Sequence, residues 1–174
     1  LKRMVRDHLI TKDKNNEIFL TEYGKISAKE QTKRFRLASK FIHKILKIEL
    51  KDVFQEAHRL EHAMSQDIEN SIDKLLNYPD KDPFGQTIPG INFIKNEDNF
   101  PLTKTITDKS YIISKIPPEN SEFVEFLNKN KVLPGNKISV TELSDTRGII
   151  SIKIDKTKVD LGLNIAKSIW VKNI

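Results

Sequence analysis

The run His58-Arg59-Leu60-Glu61-His62 is the densest concentration of metal-ligating side chains in the sequence. Residues three and four apart share one face of a helix, so in a helical setting positions 58, 61 and 62 converge. Two neutral imidazoles and one ionised carboxylate on a single turn can chelate a divalent cation, with Asp or Glu from elsewhere completing the shell. The same residues also read as polar groups on a solvated helix face. There is no Cys in the chain, so disulfides, zinc ribbons and thiol catalysis are excluded and metal binding falls to His and carboxylates.

The elements that must position this turn follow from periodicity and caps. Leu50-Lys51-Asp52 offers the start of a helix running to about Ala63, which carries the His-Glu-His turn. Before it, a long helix is expected from about Lys25 to Ile48, with Phe35, Ala38, Phe41, Ile42, Ile45 and Leu46 on one face. After it, Ser65 caps a third helix with Asp67 and Glu69 in its first turn, ending near Tyr78-Pro79. Phe41, Ile45, Ile68, Ile72 and Leu75 fit either a core or a dimer face. Asp80-Lys81-Asp82-Pro83-Phe84-Gly85 and Ile88-Pro89-Gly90 cannot continue a helix.

Outside this helical unit, Leu1 to Asp7 has the spacing of an amphipathic helix end. His8 to Thr11 and Ile18 to Thr21 form a hairpin whose tip, Lys12 to Glu17, is basic turn chemistry. Residues 91–105 lack periodicity and read as a linker. Beyond them come short β-rich runs at Tyr111–Ile116, Lys137–Glu142, Gly148–Ile154 and Ser168–Val171, with a helix around Ser121–Asn130, a pattern that suggests a small closed or nearly closed barrel.

Composition bounds the function. The 174 residues carry 37% hydrophobic and 31% charged residues, ordinary for a folded globular protein. No apolar run approaches the roughly 18 to 20 residues that span a bilayer, and a secretory signal is not apparent, so a cytoplasmic protein with no membrane partner is expected. A net charge of +6 suits a phosphate-bearing partner, because clustered Lys and Arg release counterions from nucleic acid. The motif also fits the inverted zinc-peptidase pattern H-x-x-E-H, in which the Glu activates water. That chemistry needs a further carboxylate ligand downstream on another helix, where this sequence turns to linker and strands.

Two blocks at characteristic separation, Glu56-Ala57-His58-Arg59-Leu60-Glu61-His62-Ala63-Met64-Ser65 and Asp82-Pro83-Phe84-Gly85-Gln86-Thr87-Ile88-Pro89-Gly90, closely resemble the diphtheria toxin repressor family of metal-dependent regulators. The resemblance implies an α+β architecture. Residues 1–27 would be the remainder of a winged-helix DNA-binding domain, a recognition-helix end plus a β-hairpin wing whose N-terminal part lies upstream of Leu1. Residues 28–90 would be a helical metal-binding and dimerisation domain, 91–105 a linker, and 106–174 a Src-homology-3-like barrel.

It further implies a homodimeric repressor that binds double-stranded operator DNA when Fe²⁺, or alternatively Mn²⁺, is bound, with no small-molecule substrate and no catalysis. A metal-binding dimerisation module without a DNA role is the other non-enzymatic reading. Glu61 and His62 match the family's primary metal ligands, and His58 stands where members carry Cys or Glu. Further primary ligands come from the family's extreme N-terminus. The helical positions of the ancillary metal site correspond to Phe35, Ser39 and Phe54, none of which binds metal, while Glu119 and Glu122 align with the two ligands from the barrel. Arg36, Asp82 and Gln86 fall near an anion pocket, with Asp82 in place of a Ser; it either pairs with Arg36 in place of an anion or is a solvated loop residue. Lys2, Arg3 and Arg6 on the helix end and Lys12 and Lys14 on the wing would contact DNA phosphates.

Overall fold

The computed structural model describes residues 1–90 and 98–174. A five-residue helix α1 (Lys2–Arg6) leads to a hairpin of β1 (Ile10–Lys12) and β2 (Ile18–Leu20), paired Ile10 to Leu20 through Lys12 to Ile18. Thr21 then joins the hairpin to α2 (Glu22–Lys44): its hydroxyl accepts from the Gly24 amide at 2.8 Å and donates to the His8 carbonyl at 2.6 Å. The cap thus starts α2 one turn before the position expected from periodicity. Gly24 lies inside that first turn because a β-carbon there would sit 1.9 Å from the Leu9 carbonyl oxygen.

Helix α2 buries Leu37, Ala38 and Ile42, and the chain leaves it at Lys47, whose φ of 61° is left-handed and ends helical pairing. Helix α3 (Leu50–Ala63) presents Leu50, Val53 and Ala57 to the core. One turn further, the same stripe brings Glu61 inward. Helix α4 (Gln66–Leu75) begins at Ser65, whose hydroxyl accepts from the Ile68 amide, and is tied to α2 by Lys33 to Asp73 at 2.9 Å and Arg34 to Glu69 at 3.2 Å. Of the positions expected to serve core or dimer contacts, Ile72 is buried and Phe41 packs at the core's edge, whereas Ile45, Ile68 and Leu75 are exposed.

The C-terminal half is a six-stranded antiparallel sheet of β3 (Phe100–Pro101), β4 (Ser110–Lys115), β5 (Lys137–Ser144), β6 (Ile149–Ile154), β7 (Thr157–Gly162) and β8 (Trp170–Asn173), in the order β3-β8-β4-β5-β6-β7. Helix α5 (Ser121–Lys129), capped by the Asn120 side chain, and the short α6 (Leu163–Ala166) accompany it. Register shifts between Ile113 and Lys115 and between Val140 and Glu142 bend the sheet. Among the described residues no ladder joins β7 to β3, so barrel closure is not formed by strand pairing. Part of the expected linker is ordered: Phe100–Pro101 is a strand against β8, a 3-10 turn follows at Leu102–Lys104, and Leu102 is fully buried. The rest of it, 91–97, lies outside the described residues.

The two halves share one apolar core, from Leu37 and Val53 on the helices to Ile113 and Val171 on the sheet. The Asp82–Gly90 loop forms the seam. Phe84 is fully buried and its carbonyl accepts from the Ile116 amide at 3.0 Å. Gly85 has φ of 81°, and a β-carbon there would fall 1.9 Å from the Ser114 carbonyl oxygen. No helix among the described residues is long and apolar enough to cross a membrane.

Candidate metal centre

Glu61 occupies a position that the helical stripe reserves for an apolar side chain, and it is only 4% exposed. His58 Nδ1 approaches its Oε1 at 3.3 Å and His62 Nε2 the same oxygen at 3.7 Å. The structure therefore brings the three motif residues together, as one turn of helix dictates. Its other oxygen, Oε2, is buried with no hydrogen-bond partner. An unmatched buried carboxylate oxygen costs roughly 1–3 kcal/mol or more, which makes it a place where a further partner would be welcome. The imidazoles are accessible, His58 at 47% and His62 at 76%.

Two nitrogens beside a carboxylate suit a divalent ion such as Fe²⁺ or Mn²⁺. Both rings lean on one oxygen, however, and among the described residues no group of three or more His, Asp or Glu side chains stands ready to enclose an ion. The turn fits a metal as part of a coordination shell, with further donors required.

His58 and Glu61 open onto a cleft of about 520 Å³ between the two halves, lined also by Phe35, Phe54, Arg36, Asp82, Gln86 and Glu119. Of the two glutamates expected from the C-terminal half, Glu119 reaches this cleft and Glu122, exposed in the first turn of α5, does not line it. Ser39 is fully buried, donates its hydroxyl to the Phe35 carbonyl at 2.9 Å and does not line the cleft.

Asp82 is not a solvated loop residue. It is 4% exposed, and its Oδ1 accepts from the amides of Phe84 at 2.9 Å and Gln86 at 2.8 Å, which shapes the tight loop. Burial pushes its carboxyl up to about 6, against the opposing pull of the Gln86 and Phe84 amides and the Arg36 charge. Arg36 donates to the Thr87 carbonyl and acts on Asp82 through space. Sequence reasoning missed this burial because it depends on the loop docking against β4, a long-range contact with no local signal.

The basic residues expected to meet DNA lie at one end of the molecule. Lys2, Arg3 and Arg6 are exposed on α1, where Arg3 and Arg6 contact Asp7 at 3.5 Å and 3.0 Å. Lys12 ends β1 and Lys14 stands in the exposed hairpin tip.

Both halves of the chain resemble known proteins. Residues 21–90 match the family described as "Iron dependent repressor, metal binding and dimerisation domain", and residues 100–173 match the FeoA domain. The iron-dependent repressor IdeR of Mycobacterium tuberculosis is 36% identical over 91 residues, covering 52% of this chain and 40% of that protein. This chain thus spans less than half the length of that relative. The diphtheria toxin repressor of Corynebacterium diphtheriae is 24% identical over 184 residues, covering 99% of this chain and 80% of its own. Among solved structures, a manganese-dependent transcriptional repressor in complex with manganese superposes with a TM-score of 0.89 at 25% identity, over 99% of this chain and 81% of that one. ScaR with bound Cd²⁺ gives 0.85 at 26% identity, over 99% and 82%. With residues 21–90 and 100–173 each matched in order, the chain carries an iron-dependent repressor metal-binding and dimerisation domain followed by a FeoA domain, and its whole path superposes on metal-dependent repressors.

Proposed function

We propose that this chain is the metal-sensing and dimerising part of a transcriptional repressor, cytoplasmic and homodimeric, that binds operator DNA when Fe²⁺ or Mn²⁺ is present. The observation that carries the reading is Glu61: a carboxylate at a core position, flanked by two imidazoles, with one oxygen left unmatched. His58, Glu61 and His62 act as ligands, and the remaining donors come from a DNA-reading segment outside these residues.

Residues 1–27 serve as the remainder of a winged-helix domain, 28–90 as the sensing and dimerisation domain, and 106–174 as a Src-homology-3-like barrel. Lys2, Arg3, Arg6, Lys12 and Lys14 contact backbone phosphates, which position the protein while other residues read bases. The bound ion supplies a positive charge that draws ligands of separate elements to one point. The protein's own part is to hold that point rigid on α3, so that the ion favours the arrangement of two recognition elements that fits DNA. Relatives named for iron and structures named for manganese support either ion.

Titrating Mn²⁺ and Fe²⁺ into a version with the DNA-reading segment restored, with operator DNA as the probe, tests this. Binding should require metal and weaken steeply with salt. His62→Ala should shift the metal requirement by at least about 10-fold, since even neighbours of a ligand carry that much. A variant with unchanged metal dependence would end the assignment. Cleavage of unfolded peptides by the Zn²⁺-loaded chain would favour a peptidase instead.

A further inference from the structure

The imidazole of His58 sits among rings. The centroid of Phe35 lies 4.6 Å from it at a 41° tilt, that of Phe54 lies 4.8 Å from it nearly edge-on at 88°, and the two phenyl rings are 5.4 Å apart. Phe54 precedes His58 by one turn of α3, so that contact is built into the helix. Phe35 comes from α2, which makes the cluster a joint between the two helices. Such edge and tilted ring contacts are attractive and directional, so they favour one orientation of the imidazole.

Positions 35, 39 and 54 are those the family resemblance gives to the helical ligands of a second ion. Here two of them are phenyl rings, and the third is a hydroxyl already bonded to the Phe35 carbonyl. A divalent ion takes oxygen and nitrogen donors, and a phenyl ring offers no lone pair. From the C-terminal half only Glu119 of the expected pair reaches the cleft.

We propose that this chain holds one divalent ion rather than two, and that Phe35 and Phe54, in the space of the second ion, are positioning residues that fix the His58 ring for the first. The inference rests on the metal-centre reading above. Imidazole ligands are ordinarily oriented by outer partners, and losing such partners weakens metal binding by about 10–100-fold. On a ring that is 47% exposed, aromatic packing performs that task here.

The test is calorimetric titration with Mn²⁺ of the version that includes the DNA-reading segment, comparing wild type with Phe35→Leu/Phe54→Leu, which keeps the site apolar and removes the rings. Wild type should take one ion per chain, and the double variant should bind it about 10-fold more weakly. The same two changes made on top of His58→Ala should cause no further loss, because the clamp acts only through that ring. In metal-free protein, the His58 ring protons should resonate upfield and return towards their ordinary positions in the double variant, with sheet amide signals unmoved. A second ion of comparable affinity would overturn the count. Equal loss with and without His58, or no loss, would overturn the clamp. A folded wild-type chain with upfield His58 signals that takes no Mn²⁺ would overturn the metal-centre reading itself.

Discussion

Two buried carboxylates, 21 residues apart in sequence and both facing the same cleft, are treated in opposite ways. Asp82 is served by its own loop: two backbone amides donate to one oxygen, and Arg36 lends its field. Glu61 is flanked by two imidazoles at one oxygen and has nothing at the other. The surrounding backbone satisfies the first carboxylate and leaves one oxygen of the second without a hydrogen-bond partner. That difference separates a residue that builds the cleft from one that uses it.

Substituting Glu61 should break the contrast most visibly. Glu61→Met replaces an unmatched buried carboxylate with an apolar chain of similar length, so metal-free stability should hold or rise by about 1 kcal/mol. Mn²⁺ affinity should fall by about 100-fold or more, the upper end of what neighbours of a ligand contribute. Paired denaturation and calorimetry would check both, and a loss of stability without loss of affinity would make Glu61 structural.

Asp82→Ala should do the reverse. It strips the acceptor from the buried Phe84 amide and the partly buried Gln86 amide, at a cost of about 2 kcal/mol in urea denaturation. Metal affinity should change far less than stability. If Mn²⁺ binding collapsed while the fold held, Asp82 would belong to the metal centre and the contrast would dissolve.

The pH profile sharpens the contrast further. Because the folded Asp82 carboxyl is raised from 3.8 to about 6, the folded state binds more protons than the unfolded state between those values. Stability from this group is therefore greatest below about pH 4, declines as pH rises towards 6, and is level above. Asp82→Asn keeps an acceptor for the amides and should flatten that part of the profile, measured as melting temperature against pH. An unchanged slope would assign it to other groups.

How much of this could be read in advance depended on whether the cause was local. The helices α2, α3 and α4 were legible because the Ser65 cap and stripes such as Leu50, Val53 and Ala57 lie within a few residues of one another, although the Thr21 cap that starts α2 a turn early reads locally as the end of a strand. The His58, Glu61 and His62 turn was legible for the same reason. The strand at Phe100–Pro101 was not, since a proline in a two-residue run carries no periodic signal and its partner, β8, lies much further along the sequence, at Trp170–Asn173. Strand β7, whose alternation rests on Val159 and Leu161 alone, and the four-residue helix α6 escaped notice because each is too short to signal by itself. The fates of Phe35 and Phe54, close to a ring rather than a metal, needed two helices to be laid side by side.

At Gly85 the backbone of the helical half rests directly on that of the sheet, with no side chain between them. Adding a single methyl at this point would wedge the halves apart while leaving every ligand of α3 in place. Residue 85 is thus a natural handle for parting the two halves without altering any residue of α3.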